Sequence, residues 1–134
     1  MLARSLITGK SRMIGLVVAY LDNYFYPEAL ELLSSALQKK GYHVLIFMSG
    51  NKEGDIAEAV DEILDYQVDG IIAASVSMSS NLAKRCNSAG VPVVLFNRTQ
   101  DDDRLSAVTS DNFLGGQKVA RFLLKGGHKR IGYI

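Results

Sequence analysis

From Met13 to Ala19 the chain runs Met-Ile-Gly-Leu-Val-Val-Ala with no polar side chain. A strand with one wet face alternates apolar and polar residues, so this unbroken run predicts a strand covered on both faces, as in a parallel sheet. Pro27 stands where a helix begins, and Ala29, Leu30, Leu33, Ala36 and Leu37 recur at helical spacing until Gly41, predicting a helix from Tyr26 to Lys40. The cycle repeats. Val44 to Met48 reads as a strand, and Ile56, Ala59, Val60, Ile63 and Leu64 form the stripe of a helix ending near Tyr66. Ile71 to Ala74 is a third strand. Ser79 or Ser80 then caps a helix from Leu82 to Ala89 closed by Gly90, and Val93 to Phe96 is a fourth strand.

The last third departs from this rhythm. The acidic loop Asp101 to Arg104 leads without a helix to a short strand around Ala107 to Thr109, expected at a sheet edge. Asp111 caps a helix through Val119, Ala120, Leu123 and Leu124 to the stop at Gly126-Gly127, and Arg130 to Ile134 reads as the start of another strand. Alternating strands and helices predict an α/β fold: a doubly wound, mostly parallel, Rossmann-like sheet with helices on both faces and right-handed crossovers. Ligands of such sheets sit at the carboxyl ends of the strands.

Composition narrows the function classes. With 134 residues, 48% of them apolar, one core can form without disulfides or metals. Fifteen basic and fourteen acidic side chains give a net charge of +1, which argues against a nucleic-acid or membrane partner attracted by bulk charge, so any DNA contact is local. No secretory leader pattern opens the chain and no apolar run is long enough to span a bilayer, so a cytoplasmic location is expected. Cys86 is the single cysteine and falls among apolar helical neighbours, where a thiol acts as a small buried hydrophobe.

The carboxyl ends of the predicted strands select polar and aromatic segments: Leu21 to Tyr26, Ser49 to Asn51, Ser75 to Ser80, Asn97-Arg98 and Ser110 to Asn112. They supply aromatic faces (Tyr24, Phe25, Tyr26), hydroxyls and amides (Asn23, Ser49, Asn51, Ser75, Asn97), the Arg98 guanidinium and the Asp111 carboxylate. Flat apolar surfaces with a few fixed polar groups suit a small polyhydroxylated or heteroaromatic ligand. The rigid donor fork of Arg98 matches vicinal oxygens, and Asp111 accepts from hydroxyl or N–H groups. Each residue also has a plainer role. Phe25 and Tyr26 serve equally as a hydrophobic staple, Asp111 as an N-cap, Arg98 as a surface partner of Asp101, Asp102 or Asp103, and the serines of 75–80 as turn and capping residues.

Enzyme motifs fail when tested. Gly9-Lys10-Ser11 resembles the end of a phosphate-binding loop, yet Arg4 stands where the motif needs glycine and the triplet precedes the first strand. No Gly-x-Gly-x-x-Gly follows that strand. His43 and His128 lack metal-ligand spacing, Ala73-Ala74-Ser75 lacks the aspartate of a phosphoacceptor domain, and no nucleophile has a general base beside it in the pattern. No catalytic residue, metal or cofactor is expected.

Eight segments in order resemble one family. They are Ala3-Arg4-Ser5-Leu6 with Thr8-Gly9-Lys10-Ser11 and Ile14 to Val18; Asp22 to Tyr26; Lys40-Gly41-Tyr42; Val68-Asp69-Gly70-Ile71-Ile72; Gly90-Val91-Pro92-Val93-Val94; Asn97-Arg98; Ser110-Asp111-Asn112 with Gly115-Gly116; and Gly127 to Ile131. Together they resemble the lac-repressor and purine-repressor family of bacterial regulators. The resemblance implies one lobe of a periplasmic-binding-protein-like effector domain, with residues 1–11 a remnant of the DNA-binding hinge, 12–127 the lobe nearer the DNA, and 128–134 a strand crossing toward a second lobe outside this sequence. It implies an effector, commonly a sugar, sugar phosphate or purine, held between two lobes and coupled to operator binding by a homodimer. Asn23, Phe25, Tyr26, Asn97, Arg98 and Asp111 match effector positions, Leu6 matches a leucine that wedges into the minor groove, and Arg4 and Lys10 flank it as phosphate partners.

Two departures leave the effector open: Tyr24 replaces a frequent proline and Ala74 an asparagine of the sugar-binding relatives. The resemblance further implies that residues 1–10 fray without head and operator, that the 134-residue chain alone binds effector weakly or not at all, and that Leu32 is a candidate dimer contact. A periplasmic-type sugar-binding lobe with no DNA role and a small flavodoxin-like enzyme are the alternative readings.

Overall fold

A computed structural model describes residues 6, 9–19, 21–50, 52–100 and 105–134. Five parallel strands, β1 (Met13–Val18), β2 (His43–Met48), β3 (Gly70–Ala74), β4 (Val93–Phe96) and β5 (Ser106–Val108), form one sheet in the order β2-β1-β3-β4-β5. Helices α1 (Phe25–Lys39), α2 (Glu53–Asp65) and α3 (Ser80–Ser88) connect the first four strands, and α4 (Asn112–Lys125) follows β5. The helices and strands up to Phe96 match the sequence reading to within a few residues at their ends, and the short β5 lies at the edge as expected.

The centre of the sheet explains the apolar run. β1 pairs in register with β2 on one side (Leu16 with Ile46) and β3 on the other (Leu16 with Ile72). Its Leu16, Val17 and Val18 are fully buried. Successive side chains point to opposite faces. Leu16 and Val18 therefore meet α1 through Tyr26 and Leu30, while Val17 meets α2 and α3 through Val60, Ile63 and Leu82. The second layer is much the larger, and it takes in Val76 and Met78 of the β3–α3 loop together with Cys86. Burial pushes the Cys86 thiol up, against a smaller downward pull from the Arg85 guanidinium. Arg85 itself pairs with Asp61 between α3 and α2, and both side chains are half exposed, so the pair adds little stability.

Gly15 sets how closely α2 approaches. A β-carbon built there would lie 2.5 Å from Ile63 Cγ2, and Ile63 is fully buried, so the methyl group has no free volume to move into.

The end of the chain departs from expectation. α4 forms with Asp111 as its cap, but none of its residues is buried, and Phe113 and Phe122 are each 78% exposed. The stripe of Val119, Ala120, Leu123 and Leu124 therefore has no core to join among the described residues. Residues 130–134, expected to start a strand, form none. Apolar alternation belongs to the sequence, whereas a strand exists only where a neighbouring strand supplies the ladder.

Gly15→Ala should destabilise the fold by about 1–3 kcal/mol through overpacking against Ile63, measured by urea denaturation. Cys86 should resist an aromatic disulfide reagent in the native protein and react at once on unfolding. Fast reaction of the folded chain would contradict its burial.

Candidate functional site

Because every strand is parallel, the loops after all five emerge at one edge of the sheet. The order β2-β1-β3-β4-β5 places the reversal of winding between β1 and β3, where α/β sheets bind ligands in the crevice. Two strand ends at this edge of the sheet turn by the same device. Ser75 and Asn97 directly follow β3 and β4 and take left-handed φ values of 61° and 59°. Their amides still extend the ladder, Ser75 N donating to Phe96 O (3.0 Å) and Asn97 N to Val108 O (2.8 Å). Left-handed backbone is uncommon outside glycine and gathers at functional sites, asparagine being the more tolerant residue.

The turn at Asn97 sends its side chain across the edge, and Asn97 Nδ2 donates to the Tyr26 hydroxyl at 2.9 Å. Tyr26 is buried at the start of α1, yet its phenol remains able to donate onward. Phe25 packs edge-on to Tyr26 (5.1 Å between centroids) and lies nearly parallel to Phe96 (6.1 Å, 5°). Phe25, Phe96, Asn97, Val108, Thr109 and Ser110 line a shallow cavity of about 140 Å3. Ring faces beside an amide and hydroxyls provide stacking plus directional donors and acceptors.

The remaining expected residues fall into four groups. Asn23 Oδ1 accepts from Phe25 N and Tyr26 N (both 3.1 Å), so its carbonyl shapes the first turn of α1. Asp111 Oδ1 accepts from Leu114 N at 2.9 Å, which is the capping role, and the residue is exposed. Arg98 and Tyr24 are exposed at the edge, and Lys10 and Leu6 are exposed near the opposite end of β1. Ser49 is buried and donates to Gly50 O at 2.8 Å. It directly follows β2, three strands from β4 and roughly 14 Å away at the usual spacing, so it stands apart from Asn97. Asn51, Arg4 and residues 101–104 lie outside the described residues.

The sequence reading missed Phe96 and Gln100. Phe96 looked like core, and its place as the last residue of a strand was the available signal. Gln100 acts like a short piece of strand: its Oε1 accepts from Met78 N (3.0 Å) and its Nε2 donates to Met78 O (2.6 Å). Nothing in spacing marks a glutamine 22 positions from its partner. These two bonds satisfy the backbone of a loop whose Val76 and Met78 are buried, and so hold the floor of the edge in place. Gln100→Ala should cost about 1–3 kcal/mol of stability by leaving both Met78 groups unpaired, read from chemical denaturation.

With the geometry in view, comparison with known proteins gives one family. The profile described as periplasmic binding proteins and sugar binding domain of LacI family matches residues 11–134. The maltose regulon regulatory protein MalI of Escherichia coli (strain K12) is 30% identical over 133 residues, covering 98% of this chain and 39% of that protein. A sucrose operon repressor of Lactococcus lactis subsp. lactis is 33% identical over 129 residues, covering 96% of this chain and 39% of its own length. The crystal structure of a periplasmic binding ribose operon repressor protein from Lactobacillus acidophilus superposes with a TM-score of 0.70 at 26% identity, over 84% of this chain and 41% of that one. This chain thus spans about two fifths of the length of the relatives it matches. The strand order alone is shared with flavodoxin-like proteins, but the profile match is not, and the chain belongs to the family of periplasmic binding proteins and LacI-family sugar-binding domains.

Proposed function

We propose that this chain is an effector-sensing lobe of a cytoplasmic DNA-binding transcriptional regulator. In this reading a small sugar-like molecule lies between two lobes, and its binding is coupled to operator affinity. The observation that carries it is the cluster of Phe25, Tyr26, Phe96 and Asn97 at the carboxyl edge of the sheet, in a chain whose family match runs from residue 11 to 134. The names of the relatives, for maltose, sucrose and ribose systems, favour a sugar effector over a purine. Phe25 and Phe96 offer ring faces to the C–H side of a sugar, Asn97 and Tyr26 its polar partners, and Arg98 reaches hydroxyl or phosphate oxygens from the rim. Asp111, Asn23, Ser49 and Ser75 shape the edge, with Asp111 keeping a second carboxylate oxygen for a ligand hydroxyl. No catalytic step is assigned to any of them.

The open cavity is one rim of a cleft. Two-lobed closure supports its other rim, and the unburied apolar side of α4 supports assigning α4 and the residues after it to the second lobe, which moves the boundary of the first lobe from 127 to near 110. Residues 1–11, with Leu6 and Lys10, are assigned to the DNA-proximal hinge. The exposed Leu32 of α1 and Ile46 and Met48 of edge strand β2 supply an apolar patch suited to a symmetric homodimer. Among the described residues no helix is long and apolar enough to cross a membrane.

The test is a titration of the whole regulator with mono- and disaccharides, sugar phosphates and purines, followed by thermal shift and by operator binding. One class should stabilise the protein and change operator affinity together. Phe25→Ala or Asn97→Ala should weaken that ligand by roughly tenfold, about 1.4 kcal/mol. The 134-residue chain alone should show no binding at micromolar ligand. Tight binding by the isolated lobe would contradict a bridging effector.

A further inference from the structure

At the edge of the sheet opposite the cavity, the chain enters β1 through a bend with unusual support. Asp69, immediately before β3, accepts from Ser11 N (3.0 Å), Ser11 Oγ (3.3 Å) and Arg12 N (3.1 Å). Its own amide donates to Met13 O at 2.8 Å. From the other side, Arg12 O accepts from His43 N at 2.8 Å, and the Arg12 guanidinium carbon lies 5.1 Å from the centroid of the Tyr42 ring. Ser11 Oγ also accepts from Met13 N (3.3 Å). Both neighbours of β1 therefore grip the residues that precede it.

Arg12 takes a φ of 59°. A strand can be entered in extended conformation at no cost, so a left-handed arginine at this point is a redirection of the chain, stabilised by two consecutive amides aimed at one carboxylate. Packing contributes little to the orientation. Open space of about 440 Å3, lined by Gly9, Lys10, Gln67, Asp69 and Pro92 among others, separates the incoming segment from the carboxyl ends of α2 and α3. The direction of approach is set by polar contacts, with Asp69 at their centre.

Asp69 is also joined covalently to the candidate site. The five residues of β3 run from it to Ser75, a span of roughly 20 Å, and are paired to β1 and β4 along the way. We propose that Asp69 is a positioning residue that fixes the direction of the segment preceding β1 and makes it part of the lobe's rigid body. Rotation of the lobe on effector binding is then delivered to that segment without slack. The delivery to DNA rests on the regulator reading given above; the fixing of the segment does not.

The experiment compares Asp69→Ala and Asp69→Asn with the unaltered protein. Trypsin cleavage after Lys10 and Arg12, and hydrogen exchange at the Ser11 and Arg12 amides, read the anchor. Exchange at Leu16 to Val18 reads the core. Both rates at the bend should rise by roughly tenfold or more in Asp69→Ala, the factor expected for losing hydrogen bonds to a charged acceptor, and by less in Asp69→Asn, which keeps one acceptor. Core exchange should stay within about twofold of the unaltered protein. In the whole regulator, effector affinity should be retained while the ratio of operator affinities with and without effector moves toward one, by less in the asparagine variant. Unchanged rates at the bend overturn the proposal, as does a loss of core protection that parallels them, or an operator ratio that stays at its unaltered value while the bend is loose. If the unaltered regulator binds no operator, the regulator reading fails, and the rates at the bend alone decide whether Asp69 fixes the segment.

Discussion

The approach of α2 to β1, limited by the missing side chain at Gly15, fixes the spacing of one whole layer. Ile63 lies in the space a β-carbon would need. That contact sets the depth at which Val60, Ile63 and Leu82 meet Val17, and the larger core grows outward from it to α3 and the β3–α3 loop. The opposite layer is smaller and depends on α1 alone, through Tyr26 and Leu30. Tyr26 thereby serves two ends: its ring fills that layer while its hydroxyl emerges at the edge to meet Asn97. The same side chain ties stability of the lobe to the shape of the candidate site.

Parallel pairing gives the two edges of the sheet different characters. At the carboxyl edge the strands end in left-handed turns at Ser75 and Asn97, which bring side chains from α1, β4 and the β5 loop around one cavity. At the amino edge Asp69 gathers the entering chain against β3, and His43 and Tyr42 hold it against β2. The candidate site at one edge and the segment entering β1 at the other are thus joined by paired strands.

α4 shows the limit of reading elements one at a time. Its sequence has a cap at Asp111, an apolar stripe and a glycine stop, and the helix forms between them. Periodicity says that a helix has an apolar side, but says nothing about which sheet that side meets. The same holds for residues 130–134, whose apolar residues have no strand beside them here.

The sequence alone determined the repeating strands and helices, the burial of β1 on both faces, and the edge at which chemistry gathers. These follow from local periodicity and from the shared direction of parallel strands. It also named Phe25, Tyr26 and Asn97, because polar and aromatic residues at strand ends stand out against apolar runs. Tertiary structure decided which of the candidates meet. It kept Ser49 several strands away, brought Phe96 to the cavity, and revealed Gln100 and Asp69 as holders of loops distant in sequence. Hydrogen bonds over separations of 22 and 58 residues leave no periodic trace, because the chain that joins their partners is free to vary while only the folded distance is fixed.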